Sequence, residues 1–330
     1  LSWAQENYDA EFLETHKLPK GNLYKLINAV RDSNPYRDMV AQQRYQGPFA
    51  VTNGGDAVRI QNALLNPTDP QQTDDWLLAN VNYTNWYAYH TVCEAVRNYD
   101  TWPSANKNAA WYFDTNYTAA NQFMGRFWTL PWDMTDTWGP TWNAGQDLAW
   151  NGIWGASASV HTNLQRDYRN TMREIRDLLF QPGQINPVID AIAARIKAIA
   201  PADLLRWSYS TPSGSAYASL ANRGPGFQGL LAYVQDMKNF MFVGGSCSWW
   251  LDRSSVGTGG WITRLDALAA DPAIPTRPTI YYVGPPGYPM NSLVFECLPF
   301  LDPQGAGTFA GMQWRLAEVA DPSQPPADPR

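Results

Sequence analysis

The chain has 330 residues, of which 45% are hydrophobic and 16% charged, and its formal net charge is -6. That length supports a large core and more than one domain, and the negative balance excludes a protein built to track a phosphate backbone, which needs clustered Lys and Arg. With so few charges, Asn, Gln, Ser and Thr carry the burden of solubility, a surface that fits an extracytoplasmic setting.

Taken in chain order, residues 4–16 carry apolar positions at helical spacing, and residues 21–27 read as a strand entered through a turn. Residues 46–72 are rich in Gly, Asn, Gln and Pro, with a short helix expected near 57–65. Thr73, followed by Asp74 and Asp75 in the first turn, is a suitable N-cap for one long helix reaching about Val96. On that helix Val81, Asn85, Tyr89, Val92 and Val96 share a stripe. Residues 111–114 and 126–130 then read as a hairpin around a turn at 115–125. Pro131 closes it, because a proline cannot continue a central strand. A Trp- and Gly-rich stretch, 137–155, is of the length that is usually functional. Helices follow near 160–180, near 186–199 after Gln181-Pro182-Gly183, and near 227–242.

The composition changes near Asp271. Short β-branched and aromatic runs at 279–283, 292–297 and 311–319 alternate with Pro, Gly and Asp, too few strands for a closed sandwich of about seven. The expected fold class is α+β, with a mostly helical large domain over 1–272 and a partial β-sandwich segment with a Pro-rich tail over 273–330. The opening at Leu1 and the Pro-rich end are read as marks of a piece of a longer, secreted polypeptide. Three cysteines, Cys93, Cys247 and Cys297, are too few for a disulfide framework and match no metal-ligand spacing. Cys93 reads as a small buried hydrophobe. No apolar run approaches the 18 or so residues of a membrane span.

Two acidic clusters bracket the hairpin. The first is Asn98-Tyr99-Asp100 with Lys107 and Asn108 behind it; the second is Pro131-Trp132-Asp133-Met134-Thr135-Asp136. The order Asp, Asn, hairpin, Asp is the order of a phosphoryl-transfer site, in which one Asp takes the hydroxyl proton while an Asn and a second Asp hold Mg²⁺. Each residue also has a plainer reading. An Asp after Pro-Trp is often an Asx-turn residue, Asp100 could only solvate a loop, and Lys107 either pairs with Asp100 or faces water. His16, His90 and His161 are too scattered for a Ser-His-Asp triad or a histidine metal site. Trp138, Trp142, Trp150 and Trp154 read as packing rather than a sugar platform. Asn82 and Asn116 head formal glycosylation sequons.

The runs Asn98-Tyr99-Asp100, Lys107-Asn108, Trp111-Tyr112, Leu130-Pro131-Trp132-Asp133-Met134 and Thr137-Trp138-Gly139 resemble the CotH (spore coat protein H) family of atypical secreted kinases. Residues 6–13, beginning with Glu6, and 21–25 are similar to that family's segment joining the two lobes, and the likeness runs from about residue 3 to about 250. Residues 302–305 and 314–318 are similar to β modules that follow such domains in large secreted bacterial proteins. The resemblance implies a protein-kinase-like large lobe with ATP and Mg²⁺ as cofactors. Asp100 would be the catalytic acid with Lys107 beside it. Glu6 and Asn108 would be cofactor-binding, and Asp133, Asn108 and Asp136 would hold metal.

Two departures stand out. The interval from Asp100 to Asn108 exceeds the four intervening residues of the kinase loop, so Asn106 competes with Asn108. Thr135 stands where the family repeats its acid, and Asp136 comes one place later. The small-lobe lysine would precede Glu6, so a fragment without it is expected to lose much of its rate. The partners implied are a protein substrate or neighbouring subunits of a larger assembly, with no nucleic acid and no membrane span. The alternative is a non-catalytic scaffold component of an extracellular assembly. A third option, glycoside hydrolysis, needs two carboxyls roughly 5 to 9.5 Å apart and leaves Lys107 and Asn108 without a task.

Overall fold

Period-two alternation builds the centre of the molecule. The computed structural model describes residues 8–19, 21–26, 39–43, 56, 60, 73–98, 109–114, 126–132, 137–138, 161–200, 202, 227–246, 255–276, 278–309, 311–312 and 314. Strands β1 (Asn22–Leu26), β2 (Met39–Gln43), β3 (Ala109–Phe113) and β4 (Phe127–Pro131) form an antiparallel sheet in the order β2-β1-β3-β4. Successive side chains point to opposite faces, and both faces of β3 are covered. Ala110 and Tyr112 join Leu23 and Leu130 beneath Tyr8, Phe12 and Leu13 of the N-terminal segment. Ala109, Trp111 and Phe113 join Tyr24 and Phe127 in the main core.

Helix α1 (Ala10–Thr15) supplies the first cover. It starts later than residue 4 because Asp9 caps it, its carboxylate accepting from the amides of Glu11 and Phe12 at 3.0 and 3.2 Å. Gly21 then lets β1 approach β3, since a Cβ there would lie 2.0 Å from the Phe113 carbonyl oxygen. Strand β2 has no counterpart in the sequence reading. The short helix expected near 57–65 lies outside the described residues except for Ile60, which is helical and fully buried.

The single long helix expected from Thr73 to Val96 is two helices, α2 (Asp74–Asn80) and α3 (Tyr83–Ala95). Thr73 caps the first as expected, accepting from the Trp76 amide. The break falls at Val81–Asn82 because β4 competes for the backbone. Val81 bridges Phe127 in parallel, the Asn82 amide donates to the Phe127 carbonyl, and the Arg126 guanidinium donates to the Val81 carbonyl. Asn82 then caps α3 through the Asn85 amide.

Helices α4 (Thr162–Leu178), α5 (Pro182–Ile196) and α6 (Phe227–Phe242) follow. The first and third match expectation closely. The second begins four residues early, because Pro182 starts the helix instead of separating it from its predecessor: proline at the first helical position has no amide to satisfy and a φ suited to the turn. The chain then makes a two-residue ladder, β5 (Gly245–Ser246) with β6 (Ser255–Val256), and helix α7 (Ile262–Leu268), neither foreseen.

Helix α7 packs against α3 and α4. Arg176 on α4 pairs with Asp266 at 2.7 Å, Arg169 with Asp271 at 3.0 Å, and Arg173 donates to the Ala269 and Asp271 carbonyls. Ile262, Leu265, Ala269 and Ile274 are buried, so the helical body includes the chain as far as Ile274.

Beyond it, β7 (Ile280–Tyr282) pairs with β8 (Phe295–Cys297). Most of the third run, 311–319, lies outside the described residues, which contain this one two-stranded ladder of the expected partial sandwich. Cys93 and Cys297 are free. Among the described residues no helix is long and apolar enough to cross a membrane.

Candidate functional site

Glu6, Asp100, Asn106, Lys107, Asn108, Asp133 and Asp136 lie outside the described residues. The elements that lead to and from them are described. Helix α3 and strand β4 start together, with the Asn82 amide on the Phe127 carbonyl at 2.8 Å, and they run the same way, with the Thr129 amide on the Asn85 side-chain oxygen at 2.9 Å. At about 1.5 Å per helical residue, α3 advances roughly 21 Å between Asn82 and Val96. At about 3.4 Å per strand residue, the chain advances roughly 17 Å between Phe127 and Trp132. Both therefore finish at nearly the same level. Strand β3 starts at that end too, because Ala109 stands opposite Pro131.

The chain that leaves β4 comes back to α3. The Trp138 amide donates to the Val96 carbonyl at 2.8 Å. The structure thus brings together the end of α3 at Asn98, the start of β3 at Ala109, the end of β4 at Trp132, and the residues that follow Asp136, Thr137 and Trp138.

The turn at the end of α3 is closely held. Asn98 donates to the Cys93 carbonyl at 2.8 Å and Arg97 to the Glu94 carbonyl at 3.1 Å, the paired bonds of a Schellman motif. Glycine usually takes the left-handed position of that motif; here Arg97 does, at φ 48°. Trp138, hydrogen-bonded one residue away, is also left-handed at φ 63°. Non-glycine residues in this region cost about 1–2 kcal/mol each and persist where their surroundings over-determine them.

Those surroundings are aromatic. The Trp261 indole N–H donates to the Glu94 carbonyl at 2.7 Å, and its ring stacks on Phe240 at 5.7 Å between centroids. The Arg97 and Arg264 guanidinium groups lie 4.9 and 5.5 Å from the same ring. Glu94 is 3% exposed, and its carboxylate faces Arg264 at 3.7 Å. Trp138 packs against Phe240 in this cluster.

On the opposite face of the sheet, the Tyr8 hydroxyl donates to the Pro131 carbonyl and its ring lies 5.5 Å from that of Trp132. The Lys25 ammonium sits 3.7 Å over the Trp132 ring, a contact worth about 0.5–1 kcal/mol near a surface.

The titratable groups inside α3 are quiet. Burial pushes the Cys93 thiol up to about 12, against hydrogen bonds from Tyr89 and Asn98 that work the other way, so it is no thiolate nucleophile at neutral pH. Burial holds His90 well below its ordinary value and, on the neighbouring α4, raises Tyr168 well above its own. A neutral imidazole against Trp86, 3.9 Å between centroids, is a core residue. Among the described residues no group of three or more His, Cys, Asp or Glu is placed to hold a metal ion.

Sequence reasoning missed the supporting residues. Trp138 stood in a Trp-rich stretch that gave some signal. Trp261 gave none, since its partners are far away in the chain. Nor did Lys25 signal that it would cover the residue preceding Asp133.

Comparison with known proteins gives one family match. The model described as CotH kinase protein matches residues 1–234, which contain the four-stranded sheet, α1 to α5 and the first half of α6. No curated protein matches the chain.

Proposed function

The chain belongs to the CotH kinase family, and on that premise we propose that it provides the large lobe of an ATP-dependent kinase acting on protein hydroxyls in an extracytoplasmic setting. One observation supports the reading above the others: the Trp138 amide bond to Val96, together with the pairing of Ala109 with Pro131, makes the segments 99–108 and 133–136 begin and end on neighbouring anchors. Phosphoryl transfer depends on positioning and electrostatics more than on covalent chemistry by the protein. Anchors of that kind are what it requires.

Asp100 accepts the proton of the attacking hydroxyl as oxygen bonds to the γ-phosphorus and ADP departs. Lys107, seven positions later in the same segment, supplies a countercharge. Glu6 contacts the nucleotide from the segment that joins the lobes. Asn108, Asp133 and Asp136 offer only oxygen donors, a set that suits a hard ion such as Mg²⁺. When bound, that ion neutralises charge on the β- and γ-phosphates. The reading assigns no residue of this chain to the small-lobe lysine, so its test is binding rather than turnover.

Calorimetry of ATP with the full chain, with Mg²⁺ and with chelator, is the measurement. Metal should tighten ATP binding, and Asp133→Asn should remove that gain by more than roughly 10-fold, as loss of a metal-supporting group does. A purely structural component predicts no metal-dependent heat from either protein. Absence of Mg²⁺-dependent binding in the wild type, or equal binding by Asp133→Asn, refutes the proposal.

A further inference from the structure

The family match ends at residue 234, yet part of what fixes the end of α3, the Trp261 indole above all, comes from beyond it. We infer that Trp261 is a positioning residue for the proposed phosphoryl-transfer site, a role that rests on the reading above. Its indole braces the end of α3 and, through Phe240, braces Trp138; these described residues flank the segments bearing Asp100 and Asp133.

Three observations carry this. First, the indole N–H donates to Glu94 at 2.7 Å, the same carbonyl that receives the Arg97 amide. A carbonyl in the last turn of a helix has no partner within the helix, and here it collects two donors at the start of the turn that leads to Asp100. Second, Arg97 keeps its left-handed backbone with its guanidinium against the Trp261 ring. The ring gives the side chain a reason to stay where the backbone is strained. Third, Trp138 packs on Phe240, which stacks on Trp261, while the Trp138 amide holds Val96. One aromatic group therefore touches both the chain that precedes Asp100 and, through Phe240, the chain that follows Asp136.

Gly260 sets the ring in place. At φ 79° it turns the chain, and a Cβ there would lie 2.3 Å from the Met241 carbonyl oxygen. The Trp261 amide donates to the Phe240 carbonyl at 2.8 Å, so backbone and ring dock on the same residue.

The test compares the full wild-type chain with Trp261→Phe and Trp261→Ala. Phenylalanine keeps the stack on Phe240 and removes the N–H donor; alanine removes both. Two quantities are read: the gain in ATP affinity produced by Mg²⁺, and hydrogen exchange at the amides of Asn98 and Trp138. A merely structural residue would lower the melting temperature and leave the Mg²⁺-dependent gain unchanged.

The inference expects that gain to fall roughly 10-fold in Trp261→Phe, with faster exchange at Asn98 and Trp138 and unaltered exchange in β3. Trp261→Ala should lose more, and if it does not fold, Trp261→Phe decides alone. If the wild type binds ATP with metal and Trp261→Phe matches it in gain and in exchange, the positioning role is wrong while the kinase reading stands. If the wild type shows no metal-dependent binding, the kinase reading fails and takes this role with it.

Discussion

Replacing Asn85 with alanine should destabilise the protein by about 2 kcal/mol through a single orphaned amide. Strand β4 is the edge of its sheet, and in an antiparallel pair alternate residues turn their hydrogen-bonding groups away from the neighbour. Phe127, Thr129 and Pro131 form that outward row. Asn82 satisfies the Phe127 carbonyl, Asn85 the Thr129 amide, and Tyr8 the Pro131 carbonyl. Proline itself has no amide to satisfy. Thr129 is 2% exposed, so its N–H cannot turn to water. A buried donor left alone costs about 1–3 kcal/mol, whereas Asn85→Asp keeps an acceptor and should cost less. For a cooperative unit of 150–250 residues, about 2 kcal/mol corresponds to a fall of roughly 4–8 °C in Tm. Urea titration and calorimetric melting of the wild type and both variants give the answer. If Asn85→Ala lies within about 0.5 kcal/mol of the wild type, or if Asp and Ala cost the same, the helix is not acting as a substitute strand.

Gly260→Ala meets the Met241 backbone and forces a left-handed residue to carry a side chain, so it should lose more than about 2 kcal/mol; a midpoint in urea equal to the wild type contradicts the packing described. His90 is held neutral by burial while its unfolded form titrates near 6.5. Below that pH the unfolded chain binds a proton that the folded chain does not, so stability falls on acidification by at most about 1.4 kcal/mol per pH unit until the depressed folded value is reached. His90→Gln should flatten this part of the profile, and identical losses between pH 7.5 and 5.0 in variant and wild type would count against it.

Local signals were legible and long-range ones were not. The turn segment at 115–125 and Pro131 marked the β3–β4 hairpin, and Thr73 with its two acids marked the start of α2. Helix α3 looked continuous with α2 because nothing in Val81–Asn82 announces that β4 will claim its backbone. The start of α5 was hidden by reading Pro182 as punctuation when it is an N-terminal residue. The order Asp100, Asn108, hairpin, Asp133 could be read in the chain because its spacing is local. The Trp261 brace at the end of α3 could not, since Glu94 and Trp261 are far apart in sequence and meet only in the folded molecule.

The contact between Glu94 and Trp261 spans 167 positions. Ribosomes add about 5–20 residues per second, so roughly 8–33 s separate the appearance of the helix end from that of its indole partner. Throughout that interval the turn at Arg97 has no Trp261 ring to rest on. The end of α3 therefore gains this support only once the chain has been made through Trp261, long after the helix itself.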